Sequence, residues 1–138
     1  YRMTTLPRLS EDRIRREEGI TVVDTRGEPV GTAAILAALR ELERNDSRPL
    51  PWTHRYAAYV PLECAPDLRE DPTYAAACSY AGPSDWDWDL GGLPDYFGIR
   101  FSLVSGQRIM DGVYRTLLCG LSGAGTQNTV WIEHGRVS

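Results

Sequence analysis

Thirteen residues near the start of the chain constrain its fold more than any others. From Thr32 to Arg44, Ile35, Leu36, Leu39 and Leu42 recur at i, i+1, i+4 and i+7. That spacing lines one side of an α-helix with apolar side chains. Arg40, Glu41, Glu43 and Arg44 fall mostly off the stripe, and Asn45-Asp46-Ser47 with Pro49 closes the segment. A helix with one apolar side must lie on something apolar. The rest of the sequence offers β-strands for it to lie on.

Ile20 to Asp24 is a β-branched run between Gly19 and the turn residues Arg26-Gly27-Glu28-Pro29, and reads as a strand. Arg55 to Leu62 reads as another. The C-terminal third alternates with a period of two. Gly98–Val104 places Ile99, Phe101 and Leu103 on one face, Arg108–Cys119 follows with a bulge at Gly112, and Asn128–His134 turns Val130 and Ile132 one way and Trp131 the other. These three segments are expected to form an antiparallel meander. Leu9–Glu18 reads as a second, short helix, with Ser10 as its cap, Glu11 and Asp12 in its first turn and Gly19 at its end. Ile14 is its single interior apolar residue, so it is expected at the surface or as an arm.

The expected fold class is therefore α+β: two N-terminal helices packed on a mainly antiparallel sheet of about four to six strands, with a C-terminal three-strand meander. The 138 residues suit a single domain. Cys64 to Pro94, rich in Pro, Asp, Ala and Gly, is its irregular part, with a short helix or strand at Tyr74–Tyr80.

Charge is uneven. Tyr1–Leu62 has ten Arg against nine acids, Glu63–Asp95 one Arg against eight acids, and Tyr96–Ser138 four Arg against two acids. The middle segment thus carries −7 of an overall −4. It argues against nucleic acid as a partner there and favours a basic protein surface. All fifteen basic residues are Arg. Arg2, Arg8, Arg13, Arg15 and Arg16 make the N-terminus locally basic, but Glu11, Asp12, Glu17 and Glu18 offset most of that. No apolar run reaches the about 18 residues of a membrane helix, and Tyr1–Glu18 has no apolar stretch of the kind a secretory signal needs. The three cysteines, Cys64, Cys78 and Cys119, are odd in number and widely spaced, which fits reduced thiols and a cytoplasmic (or virion) location.

The sharpest local feature is Ser84-Asp85-Trp86-Asp87-Trp88-Asp89-Leu90-Gly91. In an extended segment Asp85, Asp87 and Asp89 share one face and Trp86 and Trp88 the other. Two aromatic anchors beside three carboxylates suit a protein contact with charge selectivity. The alternative is that both Trp residues pack inward beneath a solvated acidic loop. The same three carboxylates are candidate ligands for Ca²⁺ or Mg²⁺. Their spacing resembles the opening of the calcium-loop pattern D-x-D-x-D-G, but the glycine comes one residue late, at Gly91, and the twelfth position is Tyr96. No other cofactor is indicated.

Three further constellations are weaker. Gly120-Leu121-Ser122-Gly123-Ala124-Gly125-Thr126 resembles a phosphate loop, but Thr126 stands where the lysine belongs and strand, not helix, follows. It reads as a hairpin turn. Cys119 and His134 could form a nucleophile–base pair. With Cys119 set opposite Asn128, however, His134 falls opposite Val113, about 20 Å along the ladder. His54 could act as a base beside a loop carboxylate, but has no partner nearby in sequence. With two His and no C-x-x-C pattern, zinc is not expected.

No complete catalytic set is present, so the sequence favours a non-catalytic protein-binding or assembly domain, of the kind found in immunity proteins, phage or viral components and accessory subunits. Its contact would be Asp85–Asp89, and its partner another protein or copies of itself. The alternative is a small enzyme using Asp85, Asp87 or Asp89 with His54 and a divalent cation.

Overall fold

The computed structural model describes residues 7–80, 95–105 and 108–137. It is built on a mixed seven-stranded sheet. The strands are β1 (Ile14–Glu17), β2 (Ile20–Pro29), β3 (Tyr56–Pro61), β4 (Ile99–Val104), β5 (Arg108–Met110), β6 (Val113–Leu121) and β7 (Gln127–Gly135). They lie in the order β1-β2-β7-β6-β3-β4, with β5 paired to β6. The helices are α1 (Thr32–Arg44), α2 (Ala65–Arg69) and α3 (Pro72–Tyr80).

The amphipathic segment forms α1 with the bounds its periodicity predicts, but its buried stripe is rotated. Ala34, Ile35, Ala37, Ala38 and Leu42 are buried, while Leu36 and Leu39 are half-buried at the flank. Small alanines facing the sheet let the helix axis approach it closely, and that decides which side is inward. α1 packs on β2, β7 and β6. The single core joins it to Val23, Val130, Ile132, Leu118, Tyr114, Ala58, Val60, Ile99 and Phe101 from one face of the sheet, and to Leu68 and Tyr74 from α2 and α3. All three helices thus cover the same face.

Three expectations are corrected. Leu9–Glu18 is not a helix: Glu11–Arg13 forms one 3-10 turn, and Ile14–Glu17 is an edge strand paired antiparallel with Ile20–Val23. A ten-residue helix with Ile14 as its single interior apolar residue buries almost nothing, whereas a strand gains a ladder and puts Ile14 beside Val23 of the core. Glu18 and Gly19 both take positive φ, 51° and 80°, as a two-residue hairpin requires. The helices are accordingly not two N-terminal ones. α2 and α3 come from the stretch read as irregular, where Asp71 caps α3 through Thr73 and Tyr74 N–H.

The third correction is the meander. Arg108–Cys119 is two strands, broken by a turn at Asp111-Gly112, where Gly112 has φ 77°. β4 joins neither of them. It pairs parallel with β3, and β2 pairs parallel with β7. Only β6 and β7 form the expected antiparallel hairpin, closed by Ser122 and Thr126. β3 and β4 run parallel because the connection between them crosses over by way of α2 and α3, which brings the chain back in the same direction.

Close approach is required where β6 meets β3. Gly120 lies beneath Tyr56, and a Cβ at Gly120 would sit 2.8 Å from the Tyr56 ring. The ring covers the glycine while its hydroxyl donates to Ser47 O at 3.0 Å.

Candidate functional site

The face of the sheet away from the helices is crossed by apolar side chains, and no described helix lies on it. Strand alternation sends every second residue there, and the register sets them in rows. The middle row runs Arg15, Val22, Trp131, Leu117, Tyr59, Ser102 from β1 to β4. A second row contains Glu17, Ile20, Thr129, Cys119, Ala57 and Arg100, with Ile20 set beside Thr129 by the same register. A third contains Asp24, Glu133, Arg115, Pro61 and Val104, with Pro61 set beside Arg115 by extending the β3–β6 register. None of Val22, Trp131, Leu117, Tyr59 or Cys119 belongs to the core on the other side. Trp131, Leu117 and Tyr59 are half-buried, and Val22 and Cys119, short side chains between longer neighbours, are buried.

Charged groups frame these rows. Arg15 bonds Glu17 at 3.0 Å, Asp24 at 2.5 Å and Glu133 at 3.1 Å. The Arg115 guanidinium lies 3.7 Å from the centre of the Trp131 ring, a cation–π stack. Its Nη2 is 3.8 Å from Glu133, and its Nε is buried without a hydrogen-bond partner among the described residues. Between the β1–β2 hairpin and the stack, Glu17, Glu18, Ile20, Val22, Arg115, Trp131 and Glu133 line a cleft of about 470 Å³. At the other edge Asp95 pairs with Arg55 at 3.2 Å and Arg100 at 3.6 Å. The β1–β2–β7 half therefore carries Glu17, Glu18, Asp24 and Glu133 against Arg15, and the β6–β3–β4 half carries Arg55, Arg100 and Arg115 against Asp95.

The residues singled out from sequence are scattered. Asp85, Trp86, Asp87, Trp88 and Asp89 lie outside the described residues. Cys119 pairs with Thr129 and His134 with Tyr114. That register differs by one residue from the expected one, and the slip puts the two side chains on opposite faces as well as five residues apart. They make no catalytic pair. His54 is exposed in the loop before β3, held at φ 58°. Among the described residues no group of three His, Cys, Asp or Glu side chains could hold a metal ion.

His134 does have a hydroxyl partner, Thr116, at 2.7 Å from Nε2. Its Nδ1 is 2.9 Å from Gly135 O, so Nδ1 carries the proton and Nε2 accepts from Thr116. Burial pushes its pKa down, so the ring is held neutral. The pair resembles a base and its nucleophile, but Thr116 is 0% and His134 1% exposed, within the helix-covered face, and no substrate reaches them. Cys64 is equally inert: burial, with Asp67 nearby, raises its thiol to about 12.

The open face was the site sequence reasoning missed. Its signal was present in the outward phase of each strand, where Val22, Tyr59, Leu117 and Trp131 stand at positions that polar residues normally fill on a one-sided sheet. No family model matches this chain, and no curated protein or solved structure matches it either. Among the described residues no helix is long and apolar enough to cross a membrane.

Proposed function

We propose that this domain is a non-catalytic protein-binding or assembly module. The observation that supports the reading is the open face: Val22, Trp131, Leu117 and Tyr59 in one row across four strands, with balanced charges around it. An apolar row that no element among the described residues covers is a mark of a protein contact. Trp52, 71% exposed in the loop before β3, adds a second aromatic anchor. The acidic segment Asp85–Asp89 is proposed as a further contact, one that would steer a basic partner surface toward the domain. Free, buried Cys64 and Cys119 are in keeping with a reducing compartment such as the cytoplasm, or with a virion component assembled there.

The test is binding by matched variants. Leu117→Glu and Trp131→Glu place a charge in the row. Association with the native partner is expected to fall at least tenfold for each, while circular dichroism retains the folded spectrum. Unchanged association with both variants would remove the face from the function. A second reading, a small enzyme using Asp85, Asp87 or Asp89 with His54, predicts heat on titration with Ca²⁺ or Mg²⁺ and loss of that heat in Asp87→Asn.

A further inference from the structure

We infer that the partner of the open face is a second copy of this chain, packed sheet on sheet about a two-fold axis that runs parallel to the strands between β7 and β6. The inference rests on the protein-binding reading of that face and names its occupant.

The argument comes from the rows. A two-fold in the interface plane and along the strands keeps each row opposite itself and exchanges strands across the axis. β7 then faces β6 of the other copy, β2 faces β3, and β1 faces β4. In the middle row Trp131 meets Leu117, and Tyr59 lies over β2 at Val22, whose own side chain is already buried by its neighbours. In the second row Ile20 meets Ala57, Thr129 meets Cys119, and Glu17 meets Arg100. In the third row Glu133 meets Arg115 and Asp24 meets Pro61. Every apolar residue of the middle row meets an apolar one, and both charge-on-charge contacts join opposite signs. No like charges are opposed. This follows from the uneven division of charge between the two halves of the face.

The other in-plane axis, perpendicular to the strands, fails. It sets the second row against the third, so that Ile20 meets Asp24, Thr129 meets Glu133 and Cys119 meets Arg115. Apolar, hydroxyl and thiol groups would then desolvate Asp24, Glu133 and Arg115, and unpaired burial of charge is costly. The first axis does this to Asp24, opposite Pro61, and Arg15, opposite Ser102, while pairing Glu133 with Arg115 and Glu17 with Arg100. A partner of strongly single-signed surface also gains little, because acids and arginines occupy opposite halves. An isologous pair uses both. It also sets a second carboxylate, Glu133 of the other copy, opposite Arg115.

Aligned sheets pack about 10 Å apart at about −30°, so the correspondence is closest near the axis and loosens toward β1 and β4. Six strands about 4.8 Å apart and about five residues long give a footprint of about 400 Å². That is below the about 800 Å² per partner of a standard stable complex, so a dimer in reversible, concentration-dependent exchange is expected.

Sedimentation velocity of the full chain, from about 5 μM to about 1 mM, tests this. The expected result is a monomer–dimer equilibrium. Glu17→Arg and Arg100→Glu, both at exposed positions, should each weaken dimerisation at least tenfold, because each sets like charges opposite one another twice per dimer. The double variant E17R/R100E should recover most of the native affinity. Leu117→Glu should give monomer throughout. A native chain monomeric at every concentration overturns the inference. So does a dimer that Leu117→Glu leaves intact, or a double variant no better than the weaker single. A monomeric chain whose Leu117→Glu variant loses a different protein would overturn self-pairing alone and leave the protein-binding reading standing. Circular dichroism on each variant separates lost association from lost fold.

Discussion

Asp71 occupies the space that a side chain on Gly31 would need: a Cβ built there would lie 2.6 Å from Asp71 Oδ2. From that position one carboxylate caps two helices. It accepts from Thr32 N–H at 3.1 Å and Thr32 Oγ1 at 2.7 Å at the start of α1, and from Thr73 and Tyr74 N–H, both at 3.1 Å, at the start of α3. The missing Cβ of Gly31 is what lets the two helix starts share an acceptor.

Asp71→Ala should therefore cost about two ordinary N-caps, about 2–3 kcal/mol. Gly31→Ala should cost about 1–2 kcal/mol by displacing the same carboxylate. Because both act on one contact, the double variant should cost less than their sum. Urea unfolding of the four proteins checks this, and strict additivity would contradict a shared contact.

Glu41 is 1% exposed and is held by Arg16 and Arg44, both more than half exposed. Removing the buried charge leaves only solvated arginines, whereas removing both arginines leaves a buried carboxylate unpaired. Glu41→Gln should thus cost about 1–2 kcal/mol, and Arg16→Ala with Arg44→Ala about 3–5 kcal/mol. Thermal melts at constant pH would show the asymmetry, and equal losses would count against it.

His134 links stability to pH. Its folded-state pKa lies below the ordinary 6.5, with burial as the main cause. The unfolded chain therefore takes up this proton first as pH falls. The contribution is fully present above the unfolded value of about 6.5 and is lost as pH drops through and below it. In an NMR titration the His134 ring should titrate below 6.5, and the unfolding free energy should decline as pH falls through that value. A His134 ring that titrates at or above 6.5 would contradict the buried, Nδ1-protonated arrangement.

Tyr56 covers Gly120 and donates to Ser47 O, so two substitutions should separate packing from bonding. Tyr56→Phe keeps the ring over the glycine and loses one buried hydrogen bond, about 1 kcal/mol. Gly120→Val must push the ring away and should cost more, about 2–4 kcal/mol. Chemical denaturation ranks them, and the reverse order would mean that the ring is not seated on Gly120.

α1, the strand cores at Ile20–Asp24, Tyr56–Pro61 and Ile99–Val104, and the turn between β6 and β7 were legible from residue spacing. Each depends on side chains within about one turn or one pleat of each other. The opposite phases of Trp131 and its neighbours Val130 and Ile132 were legible for the same reason. The open face was legible only in part: each strand shows its outward apolar residue, but not which strands stand beside it. Val22, Tyr59, Leu117 and Trp131 come from four strands spread over more than a hundred residues, and they become a row only when β7 is inserted between β2 and β6.

By itself the sequence determined local conformation: one strongly amphipathic helix and a set of alternating strands. Tertiary structure alone decided the rest. It set the parallel pairings of β2 with β7 and of β3 with β4, and turned Leu9–Glu18 from helix to 3-10 turn and edge strand. It also shifted the β6–β7 register by one residue, which separated Cys119 from His134 across the sheet. The reason is physical. Alternation specifies that a strand has two faces, but not which neighbour it takes or in which direction. That choice is made by long-range burial, here by the layer of helices that covers one face, the other carrying no helix among the described residues.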